Sequence, residues 1–329
     1  MVRREKRLGS LLLILTGVVV YAQGPRSEPV AVPVTVKDAA GRLVGGLQAG
    51  EFRILEDGVE QKITGFSADP RPLAAAVLLD AVLTPPTAQR LRETFPVLVE
   101  AFSEFDEVAV FAFDSGFRAV ADFTSERERL HKALRGVEIA ITHGRAGEPL
   151  TQQVPRINNW PVGGAPPGPA RSGSAGRPRK RIDDAVLSAV RLLEARDPGR
   201  RRIVLLISDG AQAARLDDTA LAAALRKSDA AVYSVALELA RLSPNSGVLA
   251  RYGPPSGGEV FPATKKSALE SLYARIAEQA RYQYVLSYVP ARPASVAPVW
   301  RTIEVRVQRP GLQVIARDGY IPEARPPRQ

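Results

Sequence analysis

Two aspartates stand directly after strongly apolar runs, and they have the clearest potential for chemistry. Asp80 ends the stretch Leu73 to Asp80, and Asp209 follows the stretch Arg202 to Ser208, with Gly210 behind it. Apolar runs of this length are typical of strands buried on both faces of a parallel sheet. Open α/β sheets bind ligands at the edge where the carboxyl ends of such strands meet. The sequence therefore predicts a carboxylate-containing site at one sheet edge.

Strands and helices alternate through the middle of the chain, between residues 72 and 280. This alternation implies parallel pairing and predicts a doubly wound, mostly parallel, Rossmann-like α/β sheet. The predicted strands are 73–80, 107–113, 117–123, 203–208 and 231–237, and the predicted helices are 87–105, 125–134, 182–195, 217–227 and 266–280.

The two flanks of this region have a strand pattern instead. Residues 28–70 contain an alternating β-branched run and the dipeptide Asp57-Gly58, which is a strong hairpin signal. Residues 281–321 contain further alternating runs. The N-terminal unit alone is too small to bury a core. We therefore predict one small β-sandwich formed by both flanks, with the α/β domain inserted between them.

Residues 136–181 interrupt the alternation with a segment rich in proline, glycine and arginine. A connection this long is either functional or disordered. Its composition predicts a disordered insertion with a basic end.

The first 22 residues resemble a signal peptide. A basic stretch precedes the apolar run Leu11 to Val20, and Ala22 is a plausible cleavage point. The run is short for a membrane span, although an uncleaved anchor stays open. The pattern predicts an exported protein of the periplasm, cell envelope or medium, without a membrane span in the mature chain. The absence of cysteine excludes a disulfide framework.

The net charge of +10 indicates a mild basic excess. No predicted helix carries clustered basic residues, and aromatic and basic residues do not interleave. Nucleic acid is therefore not the expected partner.

The chain resembles a known family in its flanking motifs and strand ends. Val32 to Leu47, Glu51 to Gly58, Tyr284 to Pro290 and Arg309 to Tyr320 resemble the exported bacterial "VWFA-related" proteins. The two strand-end aspartates resemble those of a von Willebrand factor type A (VWA) domain. The resemblance covers nearly all of the chain after the signal peptide.

This resemblance implies a metal-ion-dependent adhesion site, but the motif is degenerate. Asp80, Thr84 and Asp209 match metal-ligand positions. Val82 replaces a serine of the motif, and Lys180 aligns with its threonine. A hard cation such as Mg²⁺ needs oxygen ligands. A weak or absent Mg²⁺ site is therefore expected, without another cofactor, and the Lys180 ammonium is a candidate to replace the cation between the aspartates.

The function implied by the family is non-catalytic protein binding or adhesion. The expected binding face is the carboxyl edge of the sheet, with Arg179, Lys180 and Arg181 on its rim and a protein of unknown identity as partner. A different class stays open, in which the chain is an envelope scaffold that assembles through its sandwich while the α/β edge is inert. Charge changes at the edge would separate the two.

An enzyme is a more distant interpretation. A triad of Asp80, His131 and a serine would need a nucleophile elbow, which the sequence lacks. It also has no phosphate-binding glycine loop and no Cys/His metal cluster. An aspartyl-phosphate receiver suits the strand order but not an exported chain with these flanks.

Overall fold

The computed structural model describes residues 28–141, 156–157, 160–161, 180–211, 215–237, 247–263, 265–292 and 299–322. Its strands are β1 Val30–Lys37, β2 Phe52–Glu56, β3 Val59–Gln61, β4 Ile63–Ser67, β5 Leu73–Asp80, β6 Val82–Leu83, β7 Glu107–Phe113, β8 Phe117–Thr124, β9 Ala140–Ile141, β10 Arg156–Ile157, β11 Trp160–Pro161, β12 Arg201–Ser208, β13 Ala231–Ala236, β14 Val260–Pro262, β15 Tyr284–Tyr288, β16 Arg301–Val307, β17 Gln313–Ile315 and β18 Gly319–Tyr320.

Helices cover the central part of the chain. They are α1 Pro85–Glu93, α2 Phe95–Glu100, α3 Arg127–Arg135, α4 Ile182–Glu194, α5 Asp218–Lys227, α6 Gly253–Ser256 and α7 Lys266–Arg281. Short 3₁₀ helices occupy Ala49–Glu51 and Val248–Tyr252.

A six-stranded sheet forms the centre of the α/β unit, in the order β14-β13-β12-β5-β7-β8. All neighbours pair in parallel except β8, which runs antiparallel to β7 at one edge. This order confirms the predicted doubly wound, mostly parallel sheet.

Strand β5 lies in the middle of this sheet and is buried at every position. Leu73, Ala75, Val77 and Leu79 belong to the apolar cluster that α1, α2 and α7 cover on one face. The intervening residues belong to the cluster covered by α4 and α5 on the other face. Burial on both faces explains why the run is apolar throughout rather than alternating.

The flanks form two four-stranded sheets, in agreement with the β-sandwich predicted from both flanks. One has the order β17-β1-β15-β4 and the other the order β18-β16-β2-β3. The N-terminal β1 pairs antiparallel with β15 and β17 of the C-terminal flank, and β2 pairs with β16. Residues from both sheets share one apolar cluster around Val34, Ile54 and Leu286. The sandwich is therefore built from both ends of the chain. The exact domain boundaries remain a prediction.

The single helix predicted over 87–105 is wrong, because two helices meet at Thr94. Thr94 closes α1, and its backbone N–H bonds to the carbonyl oxygens of Leu91 and Arg92. Pro96 stands in the first turn of α2. Proline has no N–H to continue the first helix, and its ring favours a new helix start.

The signal peptide and most of the 136–181 insertion lie outside the described residues. Within the insertion, β9 pairs in parallel with β6, and β10 pairs antiparallel with β11. Disorder of the remainder stays a prediction. No helix in the described parts of the chain is long and apolar enough to cross a membrane.

Candidate functional site

The ends of β5 and β12 bring Asp80 and Ser208 together. The two strands pair in parallel, with Ile207 opposite Leu79, so the next residue of each strand reaches the same edge. The Ser208 hydroxyl donates a hydrogen bond of 2.7 Å to Asp80 Oδ2. Both side chains are fully buried. Asp209 follows directly, at the point where the chain leaves the sheet.

Lys180 enters this edge from the segment before α4. The backbone N–H of its neighbour Arg181 donates to the carbonyl oxygen of Asp114 over 2.9 Å, which anchors the segment beside β7. The Lys180 Nζ atom lies 2.8 Å from Asp80 Oδ2 and 2.7 Å from Asp209 Oδ1. Lys180 is 6% exposed at this position. We call Asp80, Lys180, Ser208 and Asp209 the edge cluster.

Backbone amides hold the two carboxylates of the edge cluster in place. Val82 N–H donates to Asp80 Oδ1 over 2.9 Å, and Ala211 N–H donates to Asp209 Oδ1 over 2.9 Å. The Ser208 hydroxyl also accepts from Gly210 N–H over 3.1 Å, which requires the sharp turn that Gly210 makes at φ +78°. The carboxylates are therefore positioned from several directions.

Burial is the main influence on the pKa of the Asp80 carboxyl. It raises the pKa of this carboxyl to about 6, and the charge of Asp209 acts in the same direction. Lys180 opposes both effects by its charge and its hydrogen bond, and Ser208 adds a smaller opposing effect. At neutral pH two carboxylates face one ammonium, which leaves a net charge of about −1 in the edge cluster.

The residues present do not fit a divalent cation of the kind that the family resemblance implies. The Lys180 ammonium lies within hydrogen-bond distance of both carboxylates, in the space between them that a metal ion would need. Val82 contributes an aliphatic side chain, and Thr84 directs its hydroxyl to Thr87 Oγ1 at 3.0 Å. In the described residues, no group of three or more acidic, histidine or cysteine side chains could hold a metal.

The sequence-predicted residues divide into those that meet and those that do not. Asp80, Lys180 and Asp209 come together at the sheet edge, while Thr84 stands at the N-terminus of α1. Arg181 is exposed beside them, and Arg179 lies outside the described residues. Sequence reasoning missed Ser208. Its signal was its position as the last residue of a predicted strand, immediately before Asp209.

Neither a protein-family model nor a curated protein sequence matches the chain. Solved structures that are similar include proximal thread matrix protein 1 from the mussel byssus, at 13% identity and a TM-score of 0.40, covering 66% of this chain and 49% of that protein. BatB from Bacteroides thetaiotaomicron has 13% identity and a TM-score of 0.41, covering 63% and 98%. A von Willebrand factor type A protein from Catenulispora acidiphila has 10% identity and a TM-score of 0.44, covering 90% and 74%.

The similar structures include VWA domains, in agreement with the resemblance that the sequence motifs predicted. The match spans about half the length of the mussel protein, one structure of which has a zinc-occupied adhesion motif. At TM-scores of 0.40 to 0.44, these similarities support no conclusion about the site or the function of this chain.

Proposed function

We propose that this chain is an exported, non-catalytic protein-binding module in which the Lys180 ammonium takes the place of the adhesion-site cation. The observation that carries the proposal is the position of Lys180 Nζ, 2.8 Å from Asp80 and 2.7 Å from Asp209. An ammonium supplies positive charge between two carboxylates without needing further oxygen ligands. The site is thereby held together at any metal concentration.

The hydrogen bonding of the edge cluster supports binding rather than catalysis. The Ser208 hydroxyl is fully buried, donates to Asp80 and accepts from Gly210 N–H, so a substrate has no access to it. The Asp80 carboxylate already accepts from Lys180, Ser208 and Val82. A nucleophile or general base needs a free path to its substrate.

The mode of binding differs from that of a metal-loaded site. An open cation attracts a carboxylate of the partner, whereas the edge cluster has a net charge of about −1 at neutral pH. The exposed groups beside it therefore carry the recognition in this proposal. Of the two described basic residues of the predicted rim, Arg181 has 59% of its side chain exposed, whereas Lys180 is buried and sets the charge beneath it.

Calorimetric titration of Mg²⁺ and Mn²⁺ into the purified protein tests the ammonium substitution. We expect no one-site binding, because Lys180 occupies the space between the carboxylates. One-site binding in the wild type that disappears in Asp80→Ala would contradict the substitution and would restore a metal-dependent mode of adhesion.

Partner capture from an envelope fraction of the source organism tests the binding face. Immobilised wild-type chain should retain a partner that an Arg181→Glu variant loses. Arg306→Glu is the matched control, because Arg306 is an exposed arginine paired with an acidic residue on sandwich strand β16. If Arg306→Glu abolished capture and Arg181→Glu preserved it, the scaffold interpretation, with assembly through the sandwich, would replace this proposal.

A further inference from the structure

A second polar site lies at the other end of β12 from the edge cluster, between the α/β unit and the sandwich. A cavity of about 180 Å³ opens there among the start of β12, strands β1 and β15, and the loop after α6. Five arginines and one aspartate line it: Arg71, Arg200, Arg201, Arg202, Arg317 and Asp229. We call it the arginine cavity. Its charged lining carries a net +4 at neutral pH.

The burial of the Arg201 guanidinium is the most important feature of the arginine cavity. Arg201 is 7% exposed, and its Nε and Nη2 atoms are buried without a hydrogen-bond partner in the part of the chain that the structure describes. Burial, followed by the charge of Arg71, lowers the pKa of Arg201 to about 10. A buried guanidinium is costly unless it is paired, and the described residues offer Arg201 no carboxylate at ion-pair distance.

The neighbouring arginines are only partly satisfied. Arg317 donates to the Ala31 carbonyl oxygen over 2.7 Å, yet its Nε atom is buried without a partner among the described residues. Arg202 donates to the Arg196 carbonyl oxygen over 2.7 Å, and its Nε atom is likewise unpaired there. Both reach towards Asp229 at long range, 3.8 Å from Arg202 and 3.7 Å from Arg317. Arg200 lies 3.5 Å from Glu107, which also pairs with Arg196, and Asp229 has 72% of its side chain exposed, so these two carboxylates do not neutralise the five arginines.

The arginine cavity and the edge cluster are separate sites. Arg201 is the first residue of β12 and Ser208 is the last, so the two sites lie at opposite ends of the same strand. Sandwich residues Ala31, Pro33, Gln283 and Val285 complete the wall. A ligand there would contact both units of the fold.

We infer that the arginine cavity binds a small anion bearing a phosphoryl group. Guanidinium groups bind phosphate oxygens in a bidentate manner, and unpaired buried N–H groups of Arg201 are the donors that such binding requires. The excess of positive charge favours a divalent anion over a monovalent one. A volume of about 180 Å³ is roughly that of six water molecules and accommodates a tetrahedral group with a short substituent.

Calorimetry and thermal unfolding with inorganic phosphate test this inference on the purified full-length chain. Phosphate should bind at one site and raise the Tm beyond the effect of chloride at matched ionic strength. Arg201→Gln should weaken phosphate binding by about tenfold or more, since it removes charged hydrogen bonds. Arg71→Gln should weaken phosphate binding by less, because Arg71 is partly exposed and solvent screens its charge.

Two controls separate loss of the phosphate site from a general loss of charge or of stability. Arg306→Gln removes the same charge from an exposed ion pair on the sandwich and should leave the phosphate response unchanged. Without phosphate, Arg201→Gln should unfold at the same temperature as the wild type or higher, because it removes an unpaired buried charge. A clearly lower Tm would indicate a structural role for Arg201 and would overturn the inference.

Two further results would also overturn it. A phosphate response equal to that of chloride in the wild type would mean that the cavity has no specific anion site. Tighter binding of malonate than of phosphate would assign the cavity to dicarboxylates rather than to phosphoryl groups.

Discussion

Lys180 and Asp80 form a buried ion pair across 2.8 Å, although 100 residues separate them in the chain. The pair links the segment before α4 to the end of the central strand. Asp209, which accepts from the same ammonium, adds the end of β12. The Lys180 ammonium therefore ties the segment before α4 to the ends of the two adjacent strands β5 and β12, and this arrangement leads to three predictions.

The first prediction concerns the loss of the ammonium. Lys180→Met leaves the Asp80 and Asp209 carboxylates facing each other without a counter-charge. We expect it to lower the free energy of unfolding at pH 7 by about 3–5 kcal/mol. The deficit should be smaller near pH 5, because Asp80 is protonated more readily once its cationic partner is gone. Urea unfolding at the two pH values measures both effects.

Arg181→Met is the matched control for this variant. Arg181 is the next residue, but its ion pair with Asp184 is solvent-exposed. We expect it to change the free energy of unfolding by less than about 1 kcal/mol. Equal losses in the two variants would show that burial of the Lys180 pair is unimportant.

A second prediction rebuilds a metal site. Val82→Ser together with Lys180→Thr removes the ammonium and supplies two hydroxyl oxygens beside Asp80 and Asp209, which suits the preference of Mg²⁺ for oxygen ligands. Millimolar Mg²⁺ should then raise the Tm of the double variant and leave that of the wild type unchanged. No Mg²⁺-dependent shift in the folded double variant would refute the alignment of Lys180 with the threonine of the adhesion motif.

The raised pKa of Asp80 predicts the direction of a pH effect. This pKa is about 6 in the folded chain, whereas the ordinary value of 3.8 applies to the unfolded chain. The folded state thus holds this proton more tightly, so the Asp80 contribution to stability falls as the pH rises from about 4 to about 7. The difference corresponds to about 3 kcal/mol.

Asp80→Asn isolates this contribution because asparagine does not titrate. The free energy of unfolding of the wild type, relative to that of Asp80→Asn, should decrease between about pH 4 and about pH 7. Urea unfolding across this range measures the slope. Parallel pH profiles for the two proteins would mean that Asp80 titrates alike in the folded and unfolded chains.

The elements that local patterns control could be predicted from the sequence. The uninterrupted run of β5 predicted a central parallel strand, and each of its residues is buried. Asp57-Gly58 predicted a hairpin, and the two residues adopt positive φ angles of 48° and 78° between β2 and β3. The break at Thr94 went unpredicted, because the apolar spacing of the two short helices continues across it.

Contacts between distant segments were harder to predict. The family motif, rather than any local pattern, indicated Lys180 as a replacement for the cation. Nothing in the sequence indicated that Arg71 and Arg317 would join Arg201 in one cavity, since the three lie on separate segments and show no common spacing. Such a site depends on how the sandwich docks on the sheet, which hydrophobic periodicity does not encode.

The last prediction concerns the segment that supports one wall of the arginine cavity. Gly258 lies against β13, where a Cβ atom would stand 2.0 Å from the Val232 carbonyl oxygen. Because that oxygen belongs to the backbone of β13, which lies between β14 and β12 in the sheet, a side-chain rotation cannot relieve the clash. Gly258→Ala should therefore lower the free energy of unfolding by about 3 kcal/mol. Gly45→Ala is the control, since nothing lies within 4 Å of the added Cβ atom, and it should change stability by less than about 0.5 kcal/mol. Coincident urea midpoints for the two variants would show that the backbone at Gly258 moves away at little cost, and that the close approach does not fix this wall.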